Sequence, residues 1–408
     1  MTVLLAYVAL FVVAWALTRL LWRKTPRAAF GDTSAIRPSR VASVLSVGVL
    51  FLIWGAFTGS RLVPLHVPGP FLGDTAFTYT VEDGKGGTGQ GTVTVRVHRP
   101  GEKPQAPAAT GGSGIAVDDA EITPAWRSAL VRPAANDGEG ARITAIDGQP
   151  VTADQAVRVA HGRAVLTSKG SVSFTPDAGW QMEPIWLPPP EAVAARFVEI
   201  ARNGYQNNSL WEHVGFSLWR VLAGLVLGTL VGVPLGYAMG LSGWFRGWFD
   251  PIVEFMRPVP PLALIPLIII WFGIWESGKI VLLFLAALWI MVIAARTGVT
   301  GIRLSKVHAA YSLGASPRQV LWHVIVPNSL PDIFTGLRVA LGVCWGTVVA
   351  AELVAAEKGA GMMILVASKF QLTDIVVMGI LLIGIIGYGI DILMRFAERR
   401  LVPWRGKA

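Results

Sequence analysis

A chain of 408 residues in which 53% are hydrophobic and only 15% are charged is too apolar for an ordinary soluble domain, where about a quarter of residues carry charge. The formal net charge of +9 does not indicate nucleic-acid binding, because the basic residues gather at the ends of apolar runs, where they fix membrane orientation. The single cysteine, Cys344, excludes a disulfide framework within the chain. The composition therefore predicts a membrane protein.

Residues 1–24 predict a membrane helix that stays attached to the chain. Their apolar core is followed by Arg19, Arg23 and Lys24, whereas a cleaved signal peptide carries its basic residues before the core. Because basic residues continue through residues 25–40, this stretch is predicted to be a cytoplasmic linker. The N-terminus is therefore expected outside, and the apolar residues 41–59 are expected to cross outwards.

Residues 60–184 contain no run long enough to span a bilayer and are predicted to form an outer β domain. Two stretches, 77–81 and 92–97, alternate in period two and are separated by Asp-Gly and Gly-Gly pairs. This pattern is typical of strands joined by a hairpin turn. The acidic residues Asp118, Asp119 and Asp137 are candidates for a Ca²⁺ site, but solvated turn positions explain them better.

The order of the strands in this segment is unusual. Residues 74–97 resemble the final hairpin of bacterial immunoglobulin-like or cadherin-like repeats, and residues 116–180 resemble the beginning of one. With a Pro/Gly linker at 100–114 between them, they predict one circularly permuted β-sandwich, since sandwich termini often lie close together. Trp180 should then lie near Asp74. A loosely ordered spacer is the alternative, because the segment is rich in glycine and proline.

Further apolar runs predict the remaining membrane helices, at residues 221–245, 258–275, 280–295, 339–351 and 375–390. The basic C-terminus, from Arg395 to Lys407, is expected in the cytoplasm. Seven crossings from an outside N-terminus leave this tail inside, so the two ends of the chain predict the same topology.

Residues 273–280 contain the Gly-x4-Gly-Lys part of a phosphate-binding loop. Ile280 replaces the Ser or Thr that would bind Mg²⁺, and the stretch lies between two predicted spans. We interpret it as a polar turn and expect ATP hydrolysis in a separate subunit.

The stretch 306–331 predicts two short helices that meet at a glycine. Gly314 stands where a helix ends in a left-handed turn. Ser316 is a suitable N-cap and Pro317 suits the first position of the second helix, which Pro327 is expected to stop. Two helices joined by an elbow between two spans have the form of a docking element, and a plain interhelical loop is the alternative.

This stretch resembles the Glu-Ala-Ala loop of permeases in binding-protein-dependent, ATP-driven importers. The family's acidic residue is replaced by His308, while its alanines, glycine and proline are present at the family spacing. The resemblance implies that a coupling loop, residues 303–331, docks on an ATPase subunit and transmits its closure to the membrane helices. The coupling residues that it implies are His308, Ala309, Ala310, Gly314, Ala315, Ser316, Pro317 and Pro327.

The resemblance covers residues 185–404, with 41–59 matching the family's first helix, and is densest with permeases for taurine and other aliphatic sulfonates. It implies an all-α core of six helices, completed by residues 185–408. One N-terminal helix and an extracytoplasmic immunoglobulin-like β-sandwich are additions to that core. A homodimer in the lipid of the bacterial inner membrane is implied, with two ATP-binding cassette ATPase subunits and a solute-binding protein outside. ATP and Mg²⁺ belong to the ATPase, and neither a cofactor nor catalysis is expected of this chain.

Other functions fit parts of the sequence. Nitrate, bicarbonate or a thiamine precursor is an alternative substrate, because permeases for these share much of the pattern. A membrane-anchored surface adhesion or sensor protein is an alternative of another class, suggested by the immunoglobulin-like segment, but it leaves the glycine elbow unexplained. A secondary transporter is disfavoured because the sequence has no visible repeat of helices.

Charge at membrane depth is costly, so Arg257 and Glu352 are candidates for function. Together with Pro260, they are predicted along a pathway for an anionic substrate. The alternatives are a snorkelling Arg257 at the cytoplasmic interface and a Glu352 at the outer interface. The sequence contains no apparent catalytic or metal-ligating constellation.

Overall fold

The computed structural model describes residues 40–83, 85–109 and 111–404, with scattered positions between 5 and 16. The predicted N-terminal helix and the linker that follows it fall almost entirely outside these residues. The chain divides into two compact units, Met1–Glu191 and Ala192–Ala408. The first unit contains helix α1 and all nine strands, and the second contains the remaining helices.

The first unit begins with α1, Arg40–Thr58, close to the predicted span at 41–59. Its strands are β1 Gly73–Glu82, β2 Thr88–His98, β3 Asp119–Pro124, β4 Ala129–Val131, β5 Arg142–Ile146, β6 Gln149–Pro150, β7 Ala156–Val159, β8 Gly162–Leu166 and β9 Val172–Pro176. They form one sheet in the order β3-β2-β1-β5-β6 and another in the order β4-β9-β8-β7. The predicted hairpin is confirmed, since β1 and β2 pair antiparallel.

Strands from both halves of the segment bury one hydrophobic core. Phe77 and Tyr79 of β1 pack in the same buried cluster as Phe174 of β9, and the Phe77 and Phe174 rings stack with centroids 5.8 Å apart. The later segment also adds β3 parallel to β2 and β5 antiparallel to β1. This shared core is what a single permuted sandwich requires, because neither half could bury its own apolar face alone.

The two ends of the strand-rich region meet at its base. The Trp180 amide donates to the Pro68 carbonyl at 2.7 Å, so the chain after β9 runs beside the chain before β1. The proximity of Trp180 to Asp74 stays a prediction. Below them, the hydroxyl of Ser60 donates to the Glu191 carboxylate at 2.6 Å, and the amide of Arg61 donates to the same carboxylate at 3.0 Å. The chain therefore leaves α1 and returns within hydrogen-bonding distance.

The acidic residues of this unit serve as hydrogen-bond acceptors. Asp137 accepts from the Val117 amide at 2.7 Å, Asp119 from the Asn136 side-chain amide at 3.1 Å and Asp118 from the Thr92 amide at 2.8 Å. The Tyr79 hydroxyl is 2.6 Å from the Val117 carbonyl and 3.1 and 3.3 Å from the carboxylates of Asp137 and Asp119. Burial, reinforced by the two carboxylates, raises the pKa of Tyr79, so the phenol keeps its proton and donates. Within the described part of the chain, no group of three acidic, His or Cys residues is arranged to hold a metal.

A soluble fragment covering residues 66–182 is expected to unfold in one cooperative transition. Phe174→Ala should lower its free energy of unfolding by about 3–5 kcal/mol, because it opens a cavity beside Phe77. Urea unfolding followed by fluorescence and amide chemical shifts measures both effects. Leu130→Ala, at an exposed position, is the control and should change little. Independent folding of residues 115–182 would contradict the shared core.

The second unit is helical. It comprises α2 Pro190–Asn203, α3 Leu210–Leu241, α4 Gly243–Met256, a 3-10 turn Pro261–Leu264 leading into α5 Ile265–Phe272, α6 Glu276–Thr300, α7 Leu304–Ser312, α8 Pro317–Gln319, a π-helical segment Val320–Ile325, α9 Val326–Ala355, α10 Ala360–Lys369 and α11 Thr373–Leu401. Within the described residues, 4 helices are long and apolar enough to cross a membrane, or 5 if one bent pair is a span.

The structure corrects two predictions for residues 258–280. The predicted span at 258–275 contains only a 3-10 turn and the 8-residue helix α5, which meets α4 at a bend of 93°, so it is not a separate full-length span. The predicted polar turn at 273–280 is shorter than expected and covers only the first few of these residues. Gly273 ends α5 with φ +71°, and Glu276 already begins α6. A hydropathy profile gives the length of an apolar segment but not the direction of its helix axis, so it cannot predict the bend.

Helices α3 and α6 run parallel and pack through a ridge of glycines. A Cβ atom on any of these glycines would lie 2.4 to 2.9 Å from an atom of α6. Glycine thus allows the two backbones to approach closely, as is common between membrane helices. Since both helices run in the same direction, the bent segment between them has to return across the unit. The ridge consists of Gly224, Gly228, Gly232, Gly236 and Gly240, opposite Leu283, Ala287, Met291, Ala295 and Val299.

Gly228→Leu is expected to destabilise the helical unit by at least about 1–3 kcal/mol, because the new side chain meets the Ala287 Cβ and the backbone of α6. Thermal unfolding of the detergent-purified protein measures the loss. Gly215→Leu is the matched control, since it lies on the same helix with no atom within 4 Å of an added Cβ. Equal melting temperatures for the two variants would contradict the packing role of the ridge.

Candidate functional site

The loop predicted to be a docking element has the expected local structure. Helix α7 ends at Ser312, and Gly314 takes a left-handed conformation with φ +81°. Ser316 caps the next helix in a capping box with Gln319, and Pro317 occupies its first turn. These are the conformations that each residue type favours. The sequence thus predicted the glycine elbow at the level of single residues.

The tip of this loop exposes apolar surface. Leu313, directly before the elbow, is 89% exposed, and Tyr311 and Trp322 nearby are also exposed. His308 and Ala309 lie on the exposed side of α7, while the Ala310 carbonyl accepts from the Ala315 amide at 3.1 Å and closes the turn. An apolar tip on a short, well-capped loop is suited to insertion into a groove on a partner.

Pro327 does not stop the second helix, contrary to the prediction. The chain continues from α8 through the π-helical segment Val320–Ile325 into α9, and Pro327 lies in the first turn of α9. Pro327 therefore lies within continuous helical structure, directly after a π-helical segment, and its missing N–H removes one helical hydrogen bond. The Trp404 indole donates to the Pro327 carbonyl at 3.2 Å. The loop therefore continues directly into a long helix.

A buried charge network joins three helices at the opposite end of α6, about 36 Å from the loop by helix rise. Arg220 of α3 is 1% exposed, and its guanidinium donates to Glu276 at 2.6 and 2.7 Å and to Glu352 at 2.6 Å. Lys279 donates to Glu276 at 2.9 Å. The two positive and two negative side chains therefore have no net charge, and such pairing is how charged residues are accommodated within membrane helices.

Glu352 is fully enclosed by this network. Its carboxylate accepts from Arg220, from the Ser217 hydroxyl at 2.8 Å and from the Gly361 amide at 2.9 Å. Gly359 lies so close that a Cβ there would be 2.3 Å from the carboxyl carbon. Glu352 thus ties α3 to the turn that follows α9, and its side chain is not a solvated interfacial group.

The other predicted pathway residues lie elsewhere. Arg257, at the C-terminal end of α4, is exposed and lies 3.8 Å from Glu254. Pro260, also exposed, stands in the bend that follows. Arg257 and Glu352 therefore belong to separate ion-pair groups. Sequence reasoning missed Arg220, although an arginine beside a long apolar run was the available signal for a partner to Glu352.

Similarity to known proteins identifies the class to which this membrane protein belongs. Residues 224–403 match the family "Binding-protein-dependent transport system inner membrane component". A relative 44% identical to this chain is covered over 92% of its length, so the chain belongs to this family. It is the permease subunit of an ATP-binding cassette importer and a multi-pass inner-membrane protein.

Two proteins that are similar to this chain are named as permeases for taurine or aliphatic sulfonates. The taurine transport system permease protein TauC of Escherichia coli (strain K12) is 44% identical over 252 residues, 60% of this chain and 92% of that protein. The putative aliphatic sulfonates transport permease protein SsuC of the same organism is 41% identical over 226 residues, 55% of this chain and 84% of that protein. A solved inward-facing MetNI methionine ABC transporter has a TM-score of 0.42 at 20% identity, covering 48% of this chain and 94% of its own.

Proposed function

We propose that this chain imports taurine or a related small organosulfonate that a solute-binding protein delivers from outside. The observation that carries the proposal is the 44% identity to a taurine permease over 92% of that protein. A homodimer of the chain forms the pathway, and two separate ATPase subunits bind ATP and Mg²⁺. The first apolar helix, residues 1–24, is an addition to a six-helix core.

The elbow loop transmits ATPase closure in this proposal. Leu313 and its exposed neighbours enter a groove on the ATPase, and Gly314 sets the angle between α7 and α8. The direct continuation into α9 supports this role, because a push on a short capped loop moves a long helix with little loss. The proposed coupling residues remain His308, Ala309, Ala310, Gly314, Ala315, Ser316, Pro317 and Pro327.

The proposed pathway residues divide into two roles. Arg257 and Pro260 are exposed at the bend, so the guanidinium is available to a sulfonate group. Glu352 is neutralised by Arg220 and acts as a positioning residue that fixes the turn after α9. Repulsion of an anionic substrate by Glu352 is suppressed by the same ion pair.

Substrate-stimulated ATP hydrolysis tests the proposed function. The permease is purified with its ATPase, reconstituted with the solute-binding protein, and given taurine, a longer alkanesulfonate, nitrate, bicarbonate or a thiamine precursor. Taurine or the alkanesulfonate should stimulate hydrolysis most. Stimulation by nitrate alone would overturn the substrate class, and failure to co-purify any ATPase would contradict the proposed partnership with a separate ATPase subunit.

The proposed topology places the N-terminus and residues 60–184 outside and the C-terminus inside. Single cysteines replacing Lys85 and Lys407, in a Cys344→Ser background, should differ in reaction with a membrane-impermeant maleimide. Intact cells should label the cysteine at Lys85 and leave the one at Lys407 unlabelled, because only the first lies on the proposed outer side. Permeabilised cells, in which both positions should react, are the control. The reverse pattern in intact cells would invert the topology.

A further inference from the structure

A polar cavity lies between α9 and α11, away from the buried charge network. It has a volume of about 430 Å³, in the range of small-molecule sites. The Trp404–Pro327 hydrogen bond at its margin places it at the same end of the helical unit as the elbow loop. Its lining consists of Arg338, Arg395, Glu398, Arg399, Val402 and Pro403.

Positive charge dominates this cavity. Arg338 of α9 forms ion pairs with Asp391 and Glu398 of α11, and Arg395 donates to Asp391 at 2.7 Å. Together with Arg399, the cluster holds three guanidinium groups against two carboxylates. Asp391 and Glu398 hold Arg338 against α11, and among the described residues Arg399 has no carboxylate partner.

Helix α11 also exposes apolar side chains on its other faces. Leu393, Phe396 and Leu401 are all exposed on this helix, within two turns of the arginines. A cationic recess at the end of an apolar helix suits a ligand with an anionic head. Arginine is the residue best matched to such a head, because its planar fork donates two hydrogen bonds to one oxyanion.

We propose that this cavity binds a tetrahedral oxyanion, a phosphate or sulfonate group, at the elbow-loop end of the permease. The group is supplied either by the headgroup of an anionic phospholipid or by a free anion. Arg399 and Arg395 contact the oxyanion, and Arg338 connects the site to α9. Because α9 begins at the end of the elbow loop, an occupied site stabilises the helix that receives the push from the ATPase.

The test uses the full permease–ATPase complex in nanodiscs of phosphatidylcholine, with phosphatidylglycerol or inorganic phosphate added in separate arms. Native mass spectrometry counts retained phosphatidylglycerol, and the melting temperature reports binding in both arms. Arg399→Gln should lower the apparent affinity about fivefold, the effect of removing one basic residue from an anion-binding site. Its matched control is the neighbouring Arg400→Gln, which removes the same charge but lies over Phe396 and outside the cavity lining.

The outcomes separate the two sources of the oxyanion. Retention of phosphatidylglycerol that Arg399→Gln weakens and Arg400→Gln preserves supports the lipid source. The same pattern with inorganic phosphate alone supports a free anion. Equal loss in the two variants, or no binding in either arm with the wild-type complex, overturns the proposal. Neither result depends on taurine transport, so the proposed function is tested separately.

Discussion

Replacing Arg220 by methionine is expected to lower the free energy of unfolding of the helical unit by about 3–5 kcal/mol. The change leaves Glu352, whose side chain is 0% exposed, buried without its cation. Glu276 loses two hydrogen bonds but is 48% exposed and keeps Lys279. Most of the loss is therefore the cost of the stranded Glu352 carboxylate. Thermal unfolding of the detergent-purified permease, and its yield from membranes, measure the effect.

A second change identifies the cause of that loss. Arg220→Met combined with Glu352→Leu removes both buried charges and should recover a large part of the stability, since apolar pairs can replace buried ion pairs. Arg246→Met, which breaks an exposed pair with Asp250 at 3.8 Å, should change stability by no more than about 1 kcal/mol. If Arg220→Met unfolds at the wild-type temperature, the network does not hold the three helices together.

Gly314→Val is expected to abolish coupling while leaving the protein folded in the membrane. The left-handed conformation at φ +81° costs a non-glycine residue on the order of 1–2 kcal/mol, enough to lower the occupancy of the elbow about tenfold. In the isolated chain an added Cβ meets no atom within 4 Å, so global stability should be kept. Uptake and substrate-stimulated ATP hydrolysis should both fall.

A graded series at the same position separates backbone strain from contact with the ATPase. Gly314→Asn should retain most activity because asparagine adopts the left-handed conformation readily, Gly314→Ala should be intermediate, and Gly314→Val should be worst. His308→Glu, which restores the residue usual in the family, should be tolerated. Wild-type uptake by Gly314→Val at normal expression would show that the loop is not the transmission element.

Features set by neighbouring residues could be predicted from the sequence. The elbow depends on a glycine, a capping serine and a proline within four positions, and each of these residue types has one strongly preferred role there. The hairpin of β1 and β2 depends on strict alternation around a turn, which is also local. Proline was ambiguous, because the residue that often ends a helix can also lie within one, and Pro327 lies where the π-helical segment joins α9.

Features set by distant residues could not be predicted. Arg220 and Glu352 are 132 positions apart in the chain, and the sequence around either residue does not identify the other as its ion-pair partner. The 93° bend after α4 arises where the chain must return between two parallel helices, and this parallel arrangement is known only once the glycines of α3 are placed against α6. The arginine cavity likewise forms only when α9 and α11 pack side by side.

The closed base of the strand-rich region has a consequence for the ancestry and engineering of this permease. Ser60 and Arg61 both hydrogen-bond to the Glu191 carboxylate, so the two ends of this region are held together. The length and sequence of the chain between these residues can change without separating them, because the entropic cost of closing a longer loop grows only logarithmically with its length. A domain inserted at this junction does not disturb the surrounding helices. A reporter or affinity domain can therefore replace the strand-rich region at the same positions.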